Sequence, residues 1–256
     1  MNAGPNLQLW GLPGVPRVRA GDDLAALLLE ALRRAGLALQ AGDVVVLAQK
    51  IVSKSEGRTV ELATVTPSAR ALELAAVVQK DARLVELVLR ESRRIVRTAK
   101  DVLIVEHRRG YVMANAGIDQ SNVAAGGEGE QALLLPEDPD RSARALRAAV
   151  QARCGVDVGV IVNDSFGRPW RLGTVGVALG SAGLPAVLDL RGQPDLFGRT
   201  LRVTVVGHAD EIAAAASLVM GQAAEGCPMV LVRGLAGGAD IPATELLRPP
   251  GEDLFR

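Results

Sequence analysis

Five polar side chains crowd the stretch that follows one apolar run: residues 158–162 lead into Asn163, Asp164, Ser165, Arg168 and Arg171. A carboxylate, a hydroxyl and two guanidiniums at a strand end suit metal and phosphate chemistry, with Gly167 and Pro169 shaping a turn. The same residues also describe a polar turn closed by ion pairs, and the stretch alone leaves both readings open. A second set follows the apolar run 44–48, where Lys50 and Lys54 are expected to project from a strand or its exit while Ile51 and Val52 stay in the sheet. Two lysines there screen triphosphate charge, or are ordinary surface cations. A third set is Asp119 and Asn122, three residues apart in the small-residue segment 114–123. A carboxylate is a natural ligand for Mg²⁺ or Mn²⁺ and an asparagine bonds sugar or phosphate. An Asp-Asn turn bonded to its own backbone is the alternative.

Several familiar chemistries are missing. No GxxxxGK[ST] loop, GxGxxG turn, HExxH helix or GxSxG elbow occurs. His107 and His208 are the only histidines, each beside a predicted strand without an acid–nucleophile partner, and both read as structural. A histidine-based triad is therefore not expected.

The bulk composition narrows the partners. Across 256 residues, 29 Lys and Arg balance 29 Asp and Glu, so no net field draws nucleic acid or an anionic membrane. The locally basic run 90–97 reads as a solvated helix face. With only two Trp, one Tyr and three Phe, stacking platforms for single-stranded nucleic acid are not expected, and the core must be Ala, Val and Leu. Cys154 and Cys227 are too few for a disulfide framework or zinc site and read as buried free thiols. No signal peptide and no run near the roughly 18 apolar residues of a membrane span appear. A soluble, cytoplasmic protein is expected.

The elements that must position these groups are legible in outline. Asp22 or Asp23 caps a helix over 24–35, and 44–48 is a buried strand. Pro67 opens a helix to about 79, and Asp81 caps another over 82–93, with one buried stripe reaching Ile95. Strands at 102–106 and 111–114 form a hairpin across Arg108-Arg109-Gly110. A short strand at 133–135, an amphipathic helix at 141–153, and strands at 186–190, 201–206 and 229–232 follow. Asp210 is expected to cap a helix over 211–223, and 234–256 reads as a loop with a loosely held tail.

With these segments in hand, the sequence resembles the coenzyme F420-0:γ-glutamyl ligase family. The resemblance covers roughly residues 10–235 and rests on segments in the family's order. They are Gly11-Leu12-Pro13, GDVVVLAQKIVSKSEGR at 42–58, DARLVELVLRESRRIVRT at 81–98 and NAGIDQSNV at 115–123. LLPEDPD at 134–140, NDSFGRPWR at 163–171, DLFGR at 195–199 and LVMGQAAEG at 218–226 complete the set. The resemblance implies an α+β fold of mixed sheets with packed helices, a single ligase unit with room for two subdomains, assembled as an intertwined homodimer. It implies a GTP-dependent amide ligase that joins L-glutamate to F420-0, one or more residues through γ-linkages, with two Mn²⁺ or Mg²⁺ ions and K⁺. Some relatives carry a C-terminal flavin reductase-like domain, which is not expected in a chain ending at Arg256.

Roles carry over position by position. Asp119 and Asp164 match ligands of one metal; Ser165, a Thr in most of the family, and Gln222 match ligands of the second. Leu12, Pro13, Gly14, Val15, Gln49, Lys50, Lys54 and Asn122 match nucleotide-contacting positions, as do Met220, Gly221, Gln222, Ala223, Ala224, Glu225, Gly226 and Cys227. Gln49-Lys50 departs from the family's Ser/Thr-rich pair. Lys54, Arg168 and Arg171 are the expected catalytic and substrate-holding cations; for the two arginines, structural ion pairs are the alternative. An acyl phosphate route explains the inventory, since positioning and charge neutralisation dominate phosphoryl transfer and no protein nucleophile is needed. Two other readings remain open at this stage: a related ligase with a different carboxylate acceptor, and a GTP-binding module without ligase chemistry.

Overall fold

The computed structural model describes residues 6–120, 130–235 and 237–254. In chain order the elements are β1 (Gln8–Gly11), α1 (Leu24–Arg34), β2 (Val44–Ala48), α2 (Gln49–Ser55), β3 (Thr59–Glu61), α3 (Ala69–Val78), α4 (Ala82–Arg90), β4 (Ser92–Ala99) and β5 (Val102–His107). They continue as β6 (Val112–Ala114), β7 (Gln131–Leu133), α5 (Pro139–Cys154), β8 (Gly159–Arg168), β9 (Arg171–Ala182), β10 (Leu188–Asp189), β11 (Val205–Val206), α6 (His208–Met220) and β12 (Met229–Arg233). The fold is mixed α+β, as expected.

A five-stranded sheet ordered β1-β12-β2-β8-β9 forms the main body, with β2 and β8 parallel and the other pairs antiparallel. Its central strands are continuous apolar runs because both faces are covered. Val45, Leu47, Val160, Val162, Met229 and Leu231 join a core with α1 and α5. Their alternates Val44, Val46, Ile161, Val230 and Val232 join a second core with α6. Each such side chain contributes roughly 1.5–3 kcal/mol when fully buried. On β9 two glycines permit close helix approach. A Cβ on Gly176 would lie 2.4 Å from Ala213 O of α6, and one on Gly180 2.4 Å from Pro139 O of α5.

The chain leaves this body after α2 and returns near Leu135. Between those points α3 and α4 pack with β5 and β7 around a separate core including Leu62, Leu74, Val85, Leu103 and Val105. Buried polar bonds join it to the main body. Arg58 donates from Nε to Leu135 O at 2.9 Å and pairs through Nη2 with Glu91 at 3.0 Å. Tyr111 donates its hydroxyl to Leu179 O at 2.6 Å.

Several expectations hold. Asp23 caps α1, accepting from Ala25 N and Ala26 N at 3.0 and 3.1 Å, and Val102–His107 pairs antiparallel with Val112–Ala114. Others are corrected. Residues 49–55 form a helix, not a strand extension: the ladder between β2 and β8 ends at Ala48 opposite Asn163, and Ala48 turns the chain into α2. Ile51 and Val52 are buried by that helix instead. Pro67 precedes the helix start; Ser68 is the cap, accepting from Ala71 N, and α3 begins at Ala69.

The second helix of that pair stops at Arg90 rather than 93. Ser92–Ala99 is a strand whose β-branched Ile95 pairs with Val105, so cross-strand pairing overrides the helical spacing, and the basic run 90–97 lies largely on β4. The strand read at 133–135 lies at Gln131–Leu133, and α5 begins two residues earlier than expected, with Pro139 in its first turn and Asp138 as cap. The strands read at 186–190 and 201–206 shrink to the two-residue pair β10–β11.

Asp210 sits inside the first turn of α6, not at its cap; its carboxylate accepts from Ala178 N at 2.9 Å, and the helix ends at Met220 rather than 223. Cys154 is exposed and Cys227 half-buried, so neither is a core thiol. Within the expected tail, Asp140 accepts from Ala243 N and Thr244 N at 3.0 and 3.3 Å, and Ile241 N donates to Leu184 O, tying this segment to the sheet.

Candidate functional site

The polar stretch after Val162 is not a turn but the second half of β8, which continues to Arg168 before reversing at Pro169-Trp170. Strand geometry then decides where each group points, because successive side chains alternate faces. Asn163 donates from Nδ2 to Ser217 Oγ of α6 at 3.0 Å, and Ser165 Oγ donates to Gln222 Oε1 just past α6 at 2.6 Å. Phe166, like Val160 and Val162, packs on the α1–α5 side. Asp164 therefore faces that side, and Ser165, its neighbour in sequence, faces the other.

Asp164 meets Lys50 and Asp119 there. Lys50, in the first turn of α2, pairs through Nζ with Asp119 Oδ2 at 2.5 Å. Asp119 is set by a backbone bridge to β7, with Asp119 N donating to Leu133 O at 3.1 Å and Leu133 N to Asp119 O at 2.8 Å. Just upstream, Asn115, Ala116 and Gly117 all have positive φ, 51, 53 and 69°. At Gly117 a Cβ would also lie 2.7 Å from Met113 Cε, so this tight entry needs glycine.

Asp164 keeps some exposure as a residue, but its carboxyl is enclosed. It is pushed up to about 7, chiefly by burial and with help from the Asp119 carboxylate, against the opposing pull of the Ser165 N–H and Lys50. Two carboxylates pressed together with one ammonium are short of positive charge, which a divalent ion would supply. Among the described residues no three His, Cys, Asp or Glu cluster, so such an ion would complete its shell with neutral oxygens, phosphate and water. The donor set fits a metal on those terms.

Lys54, one turn after Lys50, has its ammonium lowered by burial and then by the neighbouring charges of Lys50 and Arg17. Arg17 lies in the segment whose Gly21 N donates to Ser55 O at 2.9 Å, alongside α2. This third cation was missed in the sequence, since nothing local to Arg17 marks it. Gln49 is buried and accepts from Ser53 Oγ at 2.9 Å, so its side chain faces inward. Leu12 and Met220 are also core side chains. Pro13 and Gly14 are exposed and Val15 half-buried, with Gly14 O accepting from Arg34 Nη1 at 2.8 Å.

The segments 12–15 and 221–227 come together. A Cβ on Gly11 would lie 2.7 Å from Cys227 Sγ, and Leu12 N donates to Met229 O at 2.9 Å. In the exposed loop after α6, Glu225 Oε2 accepts from Ala223 N at 2.8 Å. Its carboxyl is held below the usual range by the backbone N–H groups of Glu225, Ala223 and Gln222. The loop thus turns its amides onto its own carboxylate. Arg168 donates to Gly173 O at 3.3 Å, Arg171 is exposed, and Asn122 lies outside the described residues.

Residues 14–234 match the F420-0:Gamma-glutamyl ligase family. The chain belongs to that family. It is 47% identical to the coenzyme F420:L-glutamate ligase of Methanothermobacter thermautotrophicus over 253 residues, covering 98% of this chain and 99% of that protein. It is 46% identical to the Methanopyrus kandleri enzyme of the same name over 257 residues, 98% of each chain. The Haloarcula marismortui enzyme of that name is 42% identical over 256 residues, 98% of this chain and 96% of that one. Within the family's expected site, β8 is the shared wall: Asp119 and Asp164 meet on one face, Ser165 and Gln222 on the other.

Proposed function

We infer that this F420-0:γ-glutamyl ligase joins L-glutamate to F420-0 by forming an amide bond driven by GTP cleavage. The observation that supports this mechanism best is the convergence of Lys50, Lys54, Asp119 and Asp164 where α2 leaves β2 beside the middle of β8. A free carboxylate does not acylate an amine at neutral pH, so the acceptor must be activated. Its carboxylate oxygen attacks the γ-phosphorus, and the phosphorus–oxygen bond to GDP breaks. The glutamate amine then attacks the acyl carbon, loses a proton, and phosphate leaves.

In this chain Lys50 and Lys54 present ammonium charge to the triphosphate. Asp119 and Asp164 would hold one divalent ion, Mn²⁺ or Mg²⁺, and Ser165 Oγ with Gln222 Oε1 would hold a second. When bound, the ions neutralise charge on the transferring phosphoryl group. The loop from Gly221 to Cys227 and residues 12–15 cradle the nucleotide through their backbone, as the amides around the Glu225 carboxylate suggest; Asn122 joins them by resemblance. The dependence on K⁺ and the addition of further γ-linked glutamates rest on resemblance alone.

A homodimer is proposed on exposed apolar side chains. Leu196, Phe197 and Val203, in the arm between β10 and β11, are 92, 85 and 85% exposed, a surface a partner copy would cover. A reducing, cytoplasmic setting suits the two free cysteines. Among the described residues no helix is long and apolar enough to cross a membrane.

The test is mass spectrometry of F420-0 incubated with GTP, Mn²⁺ and L-glutamate. Products heavier by one or more glutamyl units are expected from the wild type, and loss of them from Asp164→Asn. Wild-type turnover persisting in Asp164→Asn would remove the metal assignment; no product from the wild type would remove the reading itself.

A further inference from the structure

The β8–β9 hairpin extends beyond the metal-facing residues to a tip that the reaction described above does not use. Trp170 at that tip is 86% exposed and Leu172 99% exposed. Trp170 also has φ 66°, a left-handed conformation that costs a non-glycine residue free energy. In a chain of two Trp, one Tyr and three Phe, holding an indole outward in a strained turn is costly. The flanking residues are cationic, Arg168 and Arg171.

An outward indole beside two guanidiniums matches a flat aromatic ligand with an anionic tail. The acceptor in the proposed reaction is such a molecule, a deazaflavin ring joined through a ribityl phosphodiester to the reacting carboxylate. The lengths also agree. Trp170 is six residues beyond Asp164, so the two are separated by no more than ~20 Å along an extended strand. About ten single bonds link the acceptor's carboxyl carbon to its ring nitrogen, which spans roughly 12 Å when extended, and the ring adds several more.

We propose that the tip of the β8–β9 hairpin is the acceptor's ring platform, with Trp170 stacking on the deazaflavin and Arg168 and Arg171 facing its phosphodiester. This rests on the ligase reading above. With its carboxylate at Lys50 and Asp164, the acceptor lies along the hairpin, and Trp170 sets affinity for the ring without touching the reacting atoms.

The test is F420-0 binding to the full-length protein, read from the anisotropy of F420-0's own fluorescence. It compares wild type, Trp170→Ala and Trp170→Phe, with GTP affinity and solution mass measured alongside. Trp170→Ala is expected to weaken F420-0 binding about ten-fold or more, the scale of one aromatic stack. Trp170→Phe should restore most of it, with GTP affinity and oligomeric state unchanged. F420-0 affinity within two-fold of wild type in Trp170→Ala would overturn the platform while leaving the ligase reading intact. Dissociation of the assembly in Trp170→Ala would also overturn it, making the tip a subunit contact. A wild type that neither binds nor glutamylates F420-0 would overturn both.

Discussion

Replacing Asp164 by Asn in the metal-free protein should raise its stability at alkaline pH. The folded protein holds this carboxyl at about 7, against 3.8 for the ordinary group, because burial and the Asp119 carboxylate disfavour the anion. Between those two values the folded chain keeps a proton that the unfolded chain has already released. By linkage, stability then falls as pH rises through this window and levels off above pH 7. A rise of that size corresponds to about 4 kcal/mol at full ionisation. Asparagine keeps the shape of the neutral acid, and its Oδ1 can still accept from Ser165 N, which lies 2.8 Å from Asp164 Oδ1. The attraction of Lys50 is already contained in that value, and the Asn Nδ2 must find an acceptor, so a net gain of about 2–4 kcal/mol at pH 8 is expected. Urea denaturation with EDTA at pH 4, 6 and 8 measures it. The variant's advantage should vanish toward pH 4, and added Mn²⁺ should stabilise the wild type more than the variant. An advantage absent at pH 8, or one that grows as pH falls, would refute the burial argument.

Two further substitutions test how the site is held. Tyr111→Phe removes the hydroxyl bonded to Leu179 O at 2.6 Å and leaves that buried carbonyl unpaired. A loss of about 1–3 kcal/mol in urea denaturation is expected, and no loss would mean that water replaces the hydroxyl. Asp140→Ala removes the carboxylate that accepts from Ser181 N, Ala243 N and Thr244 N. Limited proteolysis should then cut around residues 240–250 faster than in the wild type, and an unchanged cleavage pattern would show that other contacts hold this segment.

Much of the fold was legible because its strands announce themselves. The runs at 44–48 and 229–232 are apolar at every position, which a strand buried on both faces requires, and Asp23 before its leucine-rich helix is a local cap. The errors fall where a partner distant in sequence decides. Ser92–Ala99 carries helix-compatible residues, but β5 offers it a ladder. Gln49–Ser55 follows a strand and carries apolar residues that suit one, but the chain turns into α2 at Ala48 while β8 runs on to Arg168 paired with β9. Residues 201–206 look like a strand, yet only Val205 and Val206 join a regular ladder, while Leu201 and Thr204 make isolated backbone bonds across the arm.

The site divides in the same way. The residue types, their order and the family they mark were fixed by sequence alone, because oxygen donors, lysines and glycine turns are chemically identifiable without coordinates. What the sequence cannot contain is which side of a strand each donor takes relative to everything else. Asp164 and Ser165 are neighbours in the chain but are split between the α2 side and the α6 side of β8, because a strand's side chains alternate. Lys50 and Asp119 meet at 2.5 Å although they lie far apart in the chain, and Arg17 joins the lysines across a loop. Only the tertiary structure brings such pairs together, and only burial in that structure turns an ordinary aspartate into one poised near neutrality.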